Sequence, residues 1–159
     1  MSINRAVLLA VLALSAVGNA SAEQNEQAAI LAVVDQAFAA VRSGNPDDWR
    51  AIQLAEGTTL SVRPRESGRP GELEMRIANN EAFGAASTDD GHDYLERWTG
   101  KPTVLIRGPI AVVWGEYEFR IDGEFSHCGV DSIDFVKVDG NWKIANFMWT
   151  VEKEDCPQQ

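Results

Sequence analysis

The last third of the chain carries the pattern that most constrains the fold: three β-rich runs separated by two Asp-Gly dipeptides. The runs cover 110–121, 124–137 and 142–151, and the dipeptides are Asp122-Gly123 and Asp139-Gly140. Asp-Gly between such runs favours a two-residue hairpin, because both turn positions need a positive φ that these residues tolerate. The pattern predicts an antiparallel meander, preceded by a further strand at 103–107.

The preceding residues predict helices. In 24–42, apolar residues recur at spacings of four, four and three, which places them on one helical face: Ile30, Val34, Phe38 and Val41. Asn45 and Pro46 supply a cap and a first-turn proline for a short second helix. We expect strands at 58–62 and 72–77 and short helices at 81–86 and 90–98. Helices followed by antiparallel strands predict one α+β domain, with the helices packed on one face of the sheet.

Residues 1–22 are typical of a secretory signal peptide. Arg5 precedes an apolar run over 6–17, and small residues follow as far as Ala22. The run is shorter than the roughly 20 residues of a membrane-spanning helix, so an uncleaved anchor is the less favoured alternative. We expect a periplasmic or secreted protein with one domain at 23–156 and a tail at 157–159.

The charge, histidine and cysteine content limit the kinds of partner, metal site and covalent bond that we expect. The formal net charge is -10, which disfavours nucleic acid and anionic membrane surfaces. His92 and His127 have no companion residues at metal-ligand spacing, so we expect no metal, and no motif indicates a cofactor. In an exported chain the two cysteines, Cys128 and Cys156, predict a disulfide, the alternative being two free buried thiols.

Two-residue turns at both Asp-Gly sites would fix the register of the strands by counting. Asp131 would then lie opposite Trp114 on one neighbouring strand and opposite Met148 on the other. One face of the sheet, called face one, would be apolar at one end and would carry both polar and apolar side chains in its middle. The other, face two, would be apolar along much of its length.

Face one is the predicted ligand site, because Gly129 would leave a dent there with polar groups around it. The candidate catalytic residues are Asp131, His127 and Glu116, and desolvation would raise the pKa of Asp131. Glu118 opposite His127 would favour a charged imidazolium. The other pocket residues would be Trp114, Glu118, Asn146, Met148 and Thr150. The alternative is that these polar groups make only structural hydrogen bonds.

Face two predicts a homodimer, because large apolar patches on monomers usually mark interfaces. Its predicted contact residues are Tyr117, Phe119, Val130, Phe147 and Trp149. The alternative is that loops or the early strands cover this face.

Three arginines, Arg63, Arg65 and Arg69, form a basic patch in a Pro/Gly-rich segment of this acidic chain. They could attract an anion, but exposed loop arginines need no partner, and solvation is the simpler interpretation.

Several segments, together with the order of elements and the terminal Cys156, resemble the nuclear transport factor 2-like superfamily. The segments are 114–119, 122–123, 127–131 and 140–144. Within the superfamily, the chain is similar to small exported bacterial proteins described as SnoaL-like or lumazine-binding-like. The resemblance covers 23–156 and implies a cone-like curved antiparallel sheet wrapped around the N-terminal helices, with a cavity inside and frequent dimerisation through the outer sheet face.

A shared fold does not determine which reaction a protein catalyses, since this superfamily contains isomerases, dehydratases and epoxide hydrolases beside members without known activity. We therefore carry three hypotheses. The first is binding of a small apolar or aromatic molecule between helices and sheet. The second is a cofactor-independent lyase or isomerase that uses a pocket carboxylate as general acid or base. The third is a structural dimer without a ligand.

Overall fold

The computed structural model describes the backbone of residues 5–69, 71–154 and 156, and it describes their side chains from residue 21 onward. Within these ranges the helices are α1 (Arg5–Ser43), α2 (Pro46–Ile52) and α3 (Asn80–Ala85). Most of the expected signal peptide falls in α1, whereas residues 1–4 and the tail at 157–159 lie outside the described residues. Cleavage after Ala22 stays a prediction. No helix of the described ranges is long and apolar enough to cross a membrane.

Asparagine side chains begin the two short helices. The Asn45 side chain accepts a hydrogen bond from the Asp47 amide at 3.1 Å. The Asn79 side chain accepts one from the Ala82 amide at 2.7 Å. Both bonds satisfy amides that have no partner within the helix. The predicted second helix is therefore confirmed.

The strands of the described residues form one curved seven-stranded sheet. They are β1 (Gln53–Pro64), β2 (Leu73–Asn79), β3 (Tyr94–Trp98), β4 (Thr103–Arg107), β5 (Ile110–Ile121), β6 (Glu124–Val138) and β7 (Asn141–Thr150). The spatial order is β2-β1-β7-β6-β5-β3, and β4 also pairs with β5. The β1–β7 pair is parallel and the other pairs are antiparallel. The α+β fold class is confirmed.

Both predicted hairpin turns are present. Asp122 and Asp139 have φ values of 53° and 50°, and Gly123 and Gly140 both have φ of 83°. Two consecutive positive φ values are the requirement of the tight turn that suits the twist of paired strands. The dipeptides therefore place β5, β6 and β7 side by side, as the sequence predicts.

The core lies between α1 and one face of the sheet. The α1 residues Ile30, Val34, Ala37 and Ala40 are fully buried. They belong to one cluster with sheet residues that include Val113, Ile133, Phe135, Ile144 and Phe147. This face, called the inner face, is the one on which a cavity can form.

The segment 90–98 corrects one prediction, because it is not a helix. Residues Tyr94–Trp98 form β3 and pair with β5, with Glu96 opposite Phe119. Gly91, with φ of 87°, lies in the turn that precedes the strand. Pairing with the edge of a long neighbouring strand outweighs the weak local preference for helix.

The register of the meander corrects a second prediction. Between Phe119 and Arg120, β6 contains one extra residue, Ser126, and between Asp134 and Phe135, β7 contains another, Ala145. A one-residue slip moves side chains to the opposite face of a sheet. Asp131 therefore lies opposite Gly115 and Trp149, and not opposite Trp114 and Met148.

Candidate functional site

A cavity of about 520 Å³ lies between the helices and the inner face. Its volume falls in the range of roughly 300–1,000 Å³ typical of small-molecule sites. Its aromatic lining residues are Trp49, Phe83, Tyr117, Phe119, Phe147 and Trp149. These rings come from α2, α3, β5 and β7, so the cavity exists only when helices and sheet are packed together.

The rings pack edge to face and so hold one another in place. Phe83 lies 5.1 Å from Trp49 and 5.9 Å from Trp149 between ring centroids, both in T-shaped arrangements. Phe147 lies 5.3 Å from Trp149. Offset and edge-to-face contacts are the favoured aromatic geometries. The aromatic wall is therefore formed before any ligand arrives.

The polar group on the β1 side of the cavity is Arg63. Its Nη2 donates to the Ser61 hydroxyl at 2.8 Å. Its Nε is buried and has no hydrogen-bond partner in the described part of the chain. Burial lowers the pKa of Arg63, and the nearby charge of Arg76 lowers it further. A guanidinium nevertheless stays charged at any ordinary pH.

A pair of carboxyl groups lies on the β3 and β6 side. Glu96 lines the cavity and is 9% exposed, whereas Asp131 is fully buried. Neither Asp131 oxygen has a hydrogen-bond donor among the described residues. The ionisable side chain that acts on Asp131 is Glu96, so a proton shared between the two carboxyl groups would give both a partner.

Burial keeps this carboxyl pair protonated. It raises the pKa of Glu96 to about 8. Burial, and after it the neighbouring Glu96 charge, also raise the pKa of Asp131 well above the ordinary value. Two carboxylates side by side in a low-dielectric interior cannot both ionise easily. The raised pKa of Asp131 agrees with the sequence-based expectation, although its neighbours differ.

Tyr117 and His127 are the remaining polar rings of the cavity. The Tyr117 hydroxyl donates to the Thr150 carbonyl at 2.7 Å, and burial raises the pKa of this tyrosine. His127 stacks on Phe119 with ring centroids 4.7 Å apart. Burial lowers the pKa of His127 to about 4, so its imidazole is neutral at neutral pH.

The expected ion pair between Glu118 and His127 is therefore wrong. The Ser126 bulge turns the two residues to opposite faces, and Glu118 lies opposite Cys128 instead. Glu118 forms ion pairs with Arg97 at 2.7 Å and with Arg120 at 2.8 Å. Hydrogen bonds from these arginines lower the pKa of Glu118.

The structure divides the predicted site residues between the two faces. Asp131 and His127 lie on the inner face, where His127 lines the cavity and Asp131 adjoins Glu96. The others do not line the cavity: Trp114, Glu116, Glu118, Asn146, Met148 and Thr150. The expected dent at Gly129 is not free space, because a Cβ there would lie 2.2 Å from the Thr150 carbonyl oxygen.

The predicted dimer contacts are also corrected. Tyr117 and Phe147 are 1% and 4% exposed, and they line the cavity with Phe119 and Trp149. Val130, opposite Glu116, is only half-buried. Four of these five residues thus face the cavity and not the outer side of the sheet, and the homodimer itself stays a prediction.

Sequence reasoning missed two of the polar cavity residues. The sequence predicts a helix at 90–98, and residues 94–98, with two apolar residues followed by two charged ones, lack the strict alternation that indicates a strand. Arg63 was assigned to an exposed loop, but β1 extends through it to Pro64. The other two loop arginines are exposed, and Arg65 pairs with Glu72 at 2.9 Å.

The predicted disulfide between Cys128 and Cys156 is present, with 5.8 Å between the Cα atoms. The Cys128 amide and carbonyl also pair with Glu152 at 2.9 and 2.8 Å. These contacts fix the segment after β7 against β6. Lys153, in this segment, lines the cavity.

The described residues contain no cluster of three or more His, Cys, Asp or Glu side chains that could hold a metal ion. The aromatic lining suits the binding of an organic molecule, and the protonated carboxyl pair makes a proton available at the cavity wall.

No protein-family model and no curated protein matches the sequence. Solved structures match the fold. An NTF2-like protein of unknown function from Silicibacter pomeroyi is 20% identical, with a TM-score of 0.57 over 82% of this chain and 98% of its own. An NTF2-like protein with a cystatin-like fold from Novosphingobium aromaticivorans is 13% identical, with a TM-score of 0.62 over 90% and 92%.

A third match is a nuclear transport factor 2 superfamily protein from Salmonella enterica serovar Typhimurium. It is 12% identical, with a TM-score of 0.60 over 82% of this chain and 93% of its own. At these identities the likeness concerns the fold, and it assigns no reaction. The chain therefore has the nuclear transport factor 2-like, cystatin-like fold.

Proposed function

We propose that the protein binds a small, largely aromatic molecule in the cavity between the helices and the inner face. The observation that carries this proposal is the lining of six aromatic side chains around about 520 Å³. Aromatic side chains around a few polar groups are the usual composition of a small-molecule site. Arg63, Glu96 and His127 are polar groups that could orient the ligand.

Tryptophan fluorescence tests this proposal, because Trp49 and Trp149 line the cavity whereas Trp114 lies on the other face and is 48% exposed. Titration with 2-naphthamide, a neutral bicyclic probe, should change the emission saturably. Trp149→Phe should reduce the amplitude of this change, and the matched control Trp114→Phe should leave it intact. The absence of saturation, or loss of the change with Trp114→Phe alone, contradicts binding in the cavity.

The second candidate function is cofactor-independent proton transfer, as in a lyase or isomerase. It is favoured by the carboxyl pair, because a carboxyl group with a raised pKa on a cavity wall can give or take a proton near neutral pH. Glu96 faces the cavity and would exchange the proton with the substrate. Asp131 would act through Glu96, since its own oxygens are buried.

Hydrogen exchange at an acidic C–H bond tests the second candidate. In deuterated buffer, the protein should accelerate exchange of the α-hydrogens of 2-tetralone, an aromatic ketone. The acceleration should increase as pH rises through about 8, where Glu96 becomes a base. Glu96→Gln should abolish it, whereas Glu118→Gln should not. Equal acceleration by wild type and Glu96→Gln excludes Glu96 as the base.

We also propose export to an oxidising compartment. The signal-like segment at 1–22 supports this, as does the disulfide, because such bonds persist mainly in exported proteins. The intact mass of protein recovered from the periplasm or medium should correspond to a chain that begins at Glu23. Recovery of the full chain from the cytoplasm contradicts the proposal.

A further inference from the structure

The position of Arg63 in the cavity requires an explanation. Its strand neighbours Thr59 and Ser61 are buried at the same inner face, and Arg63 continues their row into the cavity. The partner of its guanidinium is the neutral hydroxyl of Ser61, and its buried Nε has none in the described residues. Within the described ranges, Arg63 is therefore a half-buried cation without an ion pair.

The neighbouring acids compensate Arg63 only in part: Glu74 and Glu66 raise its pKa, but burial and Arg76 lower it, and the net direction is downward. On β2, Glu74 pairs with Arg76 at 2.9 Å. Glu66 lines the cavity but is exposed, and Lys153 adds a further positive group. Tyr117 and His127, the facing polar groups on β5 and β6, are uncharged at neutral pH. A charge held against apolar walls without a full counter-charge is unfavourable, so a group that supplies the missing counter-charge would bind strongly.

We propose that Arg63 receives the anionic group of the cavity ligand, which is a small aromatic carboxylic acid. The ring would lie against the aromatic wall at Trp49 and Trp149, and the carboxylate would accept hydrogen bonds from the guanidinium. This inference rests on the proposed binding function and specifies its ligand class. The protonated carboxyl pair of Glu96 and Asp131 would not repel such an anion at neutral pH.

The experiment compares two probes that differ in charge: 2-naphthoate and its neutral analogue 2-naphthamide. Their dissociation constants are measured by calorimetry at neutral pH for wild type, Arg63→Met and Arg65→Met. Arg65 is the matched control, because it carries the same charge two residues away and pairs with Glu72. Thermal unfolding of each variant shows whether it is folded.

Arg63→Met should weaken 2-naphthoate binding by about tenfold or more, since hydrogen bonds to a buried charge are the stronger class. It should change the dissociation constant of 2-naphthamide by less than about twofold. Arg65→Met should change the dissociation constant of either probe by no more than that. If Arg63→Met does not fold, Arg63→Lys takes its place. This variant keeps the charge but loses the planar donor group, so it should still weaken the binding of 2-naphthoate more than that of 2-naphthamide.

The outcomes separate the inference from the proposed function. Binding of 2-naphthamide with equal effects of Arg63→Met on both probes, or with no effect on either, overturns the role of Arg63 and leaves the cavity as a binding site. An equal loss of 2-naphthoate affinity in Arg65→Met also overturns it, because the effect would then be one of general charge. Failure of both probes to bind wild type overturns the proposed function and the inference together.

Discussion

At the scale of single residues, Glu96 and Asp131 make the folded protein sensitive to alkaline pH. In the unfolded chain both carboxyl groups have pKa values of about 4. Burial raises the pKa of Glu96 to about 8 in the folded state and raises that of Asp131 as well. Between these values the unfolded chain binds fewer protons than the folded protein. The free energy of unfolding therefore falls as pH rises.

His127 acts in the opposite direction over a lower range. Its folded-state pKa is about 4, against about 6.5 in the unfolded chain. The unfolded chain thus binds the extra proton between these values, and stability rises with pH there. Above about pH 7.5 this contribution is nearly complete. Below that pH it is shared by wild type and any Glu96 variant, so a comparison of the two isolates the carboxyl pair.

We predict that Glu96→Gln flattens the decline of stability between about pH 6.5 and 8. Each proton that the folded state alone retains contributes a slope of roughly 1.4 kcal/mol per pH unit. Urea unfolding at several pH values measures the slope. Glu118→Gln is the control, because ion pairs lower the pKa of Glu118 and its titration lies below this range. An unchanged slope in Glu96→Gln would contradict a protonated carboxyl pair.

At the scale of elements, the disulfide joins β6 to the segment that follows β7. Cys128 and Cys156 are 28 residues apart in the chain. Closing a loop of this length restricts the unfolded chain, which on the chain-entropy model stabilises the folded state by roughly 3.6 kcal/mol. The bond also holds the segment with Lys153 at the edge of the cavity.

We predict that the double variant Cys128→Ser and Cys156→Ser lowers the free energy of unfolding by roughly 3.6 kcal/mol. Urea unfolding of this variant and of wild type, each with and without reductant, measures the loss. Reductant should destabilise wild type by a similar amount and leave the double variant unchanged. Equal stability of oxidised wild type and the double variant would mean that the cross-link contributes nothing.

The elements themselves are largely predictable from sequence, but their register is not. The Asp-Gly turns and the asparagine cap of α2 are local signals, and each depends on residues adjacent in the chain. The bulge at Ala145 depends on tertiary contacts instead. Its carbonyl accepts a hydrogen bond from the Asn80 side chain at 3.1 Å. A Cβ at Gly57 would lie only 1.8 Å from the same oxygen.

The same difference between local signals and tertiary contacts explains why only part of the candidate site could be predicted from sequence. Counting residues from the turns keeps Asp131 beside Trp114, and one extra residue at Ser126 is enough to exchange Trp114 for Gly115. The expected rise in the pKa of Asp131 still holds, because burial raises this pKa on either face of the sheet. Its partner Glu96 could not be identified, since β3 adjoins the meander only through long-range pairing with β5.

At the scale of the whole molecule, the outer face of the sheet, opposite the helices, has no cover among the described residues. Large apolar side chains are exposed on it across several strands: Met75, Ile77, Leu105, Val112, Trp114 and Met148. The pairings place them on one side, with Ile77 opposite Leu60, Leu60 opposite Met148, and Leu105 opposite Val112. An apolar surface that extends across a sheet is the kind that forms self-complementary dimers.

We therefore propose a homodimer through this outer face, in place of the contacts predicted from sequence. Light scattering at tens of micromolar protein should give twice the monomer mass. Trp114→Glu should give the monomer mass, because it places a charge within an apolar contact without a partner. Ala28→Glu, which adds the same charge at an exposed position of α1, should leave the dimer intact. A monomeric wild type, or a Trp114→Glu variant that stays dimeric, would show that the outer face does not hold two copies together. In either case the cavity on the inner face would retain its lining, because helices of the same chain enclose it.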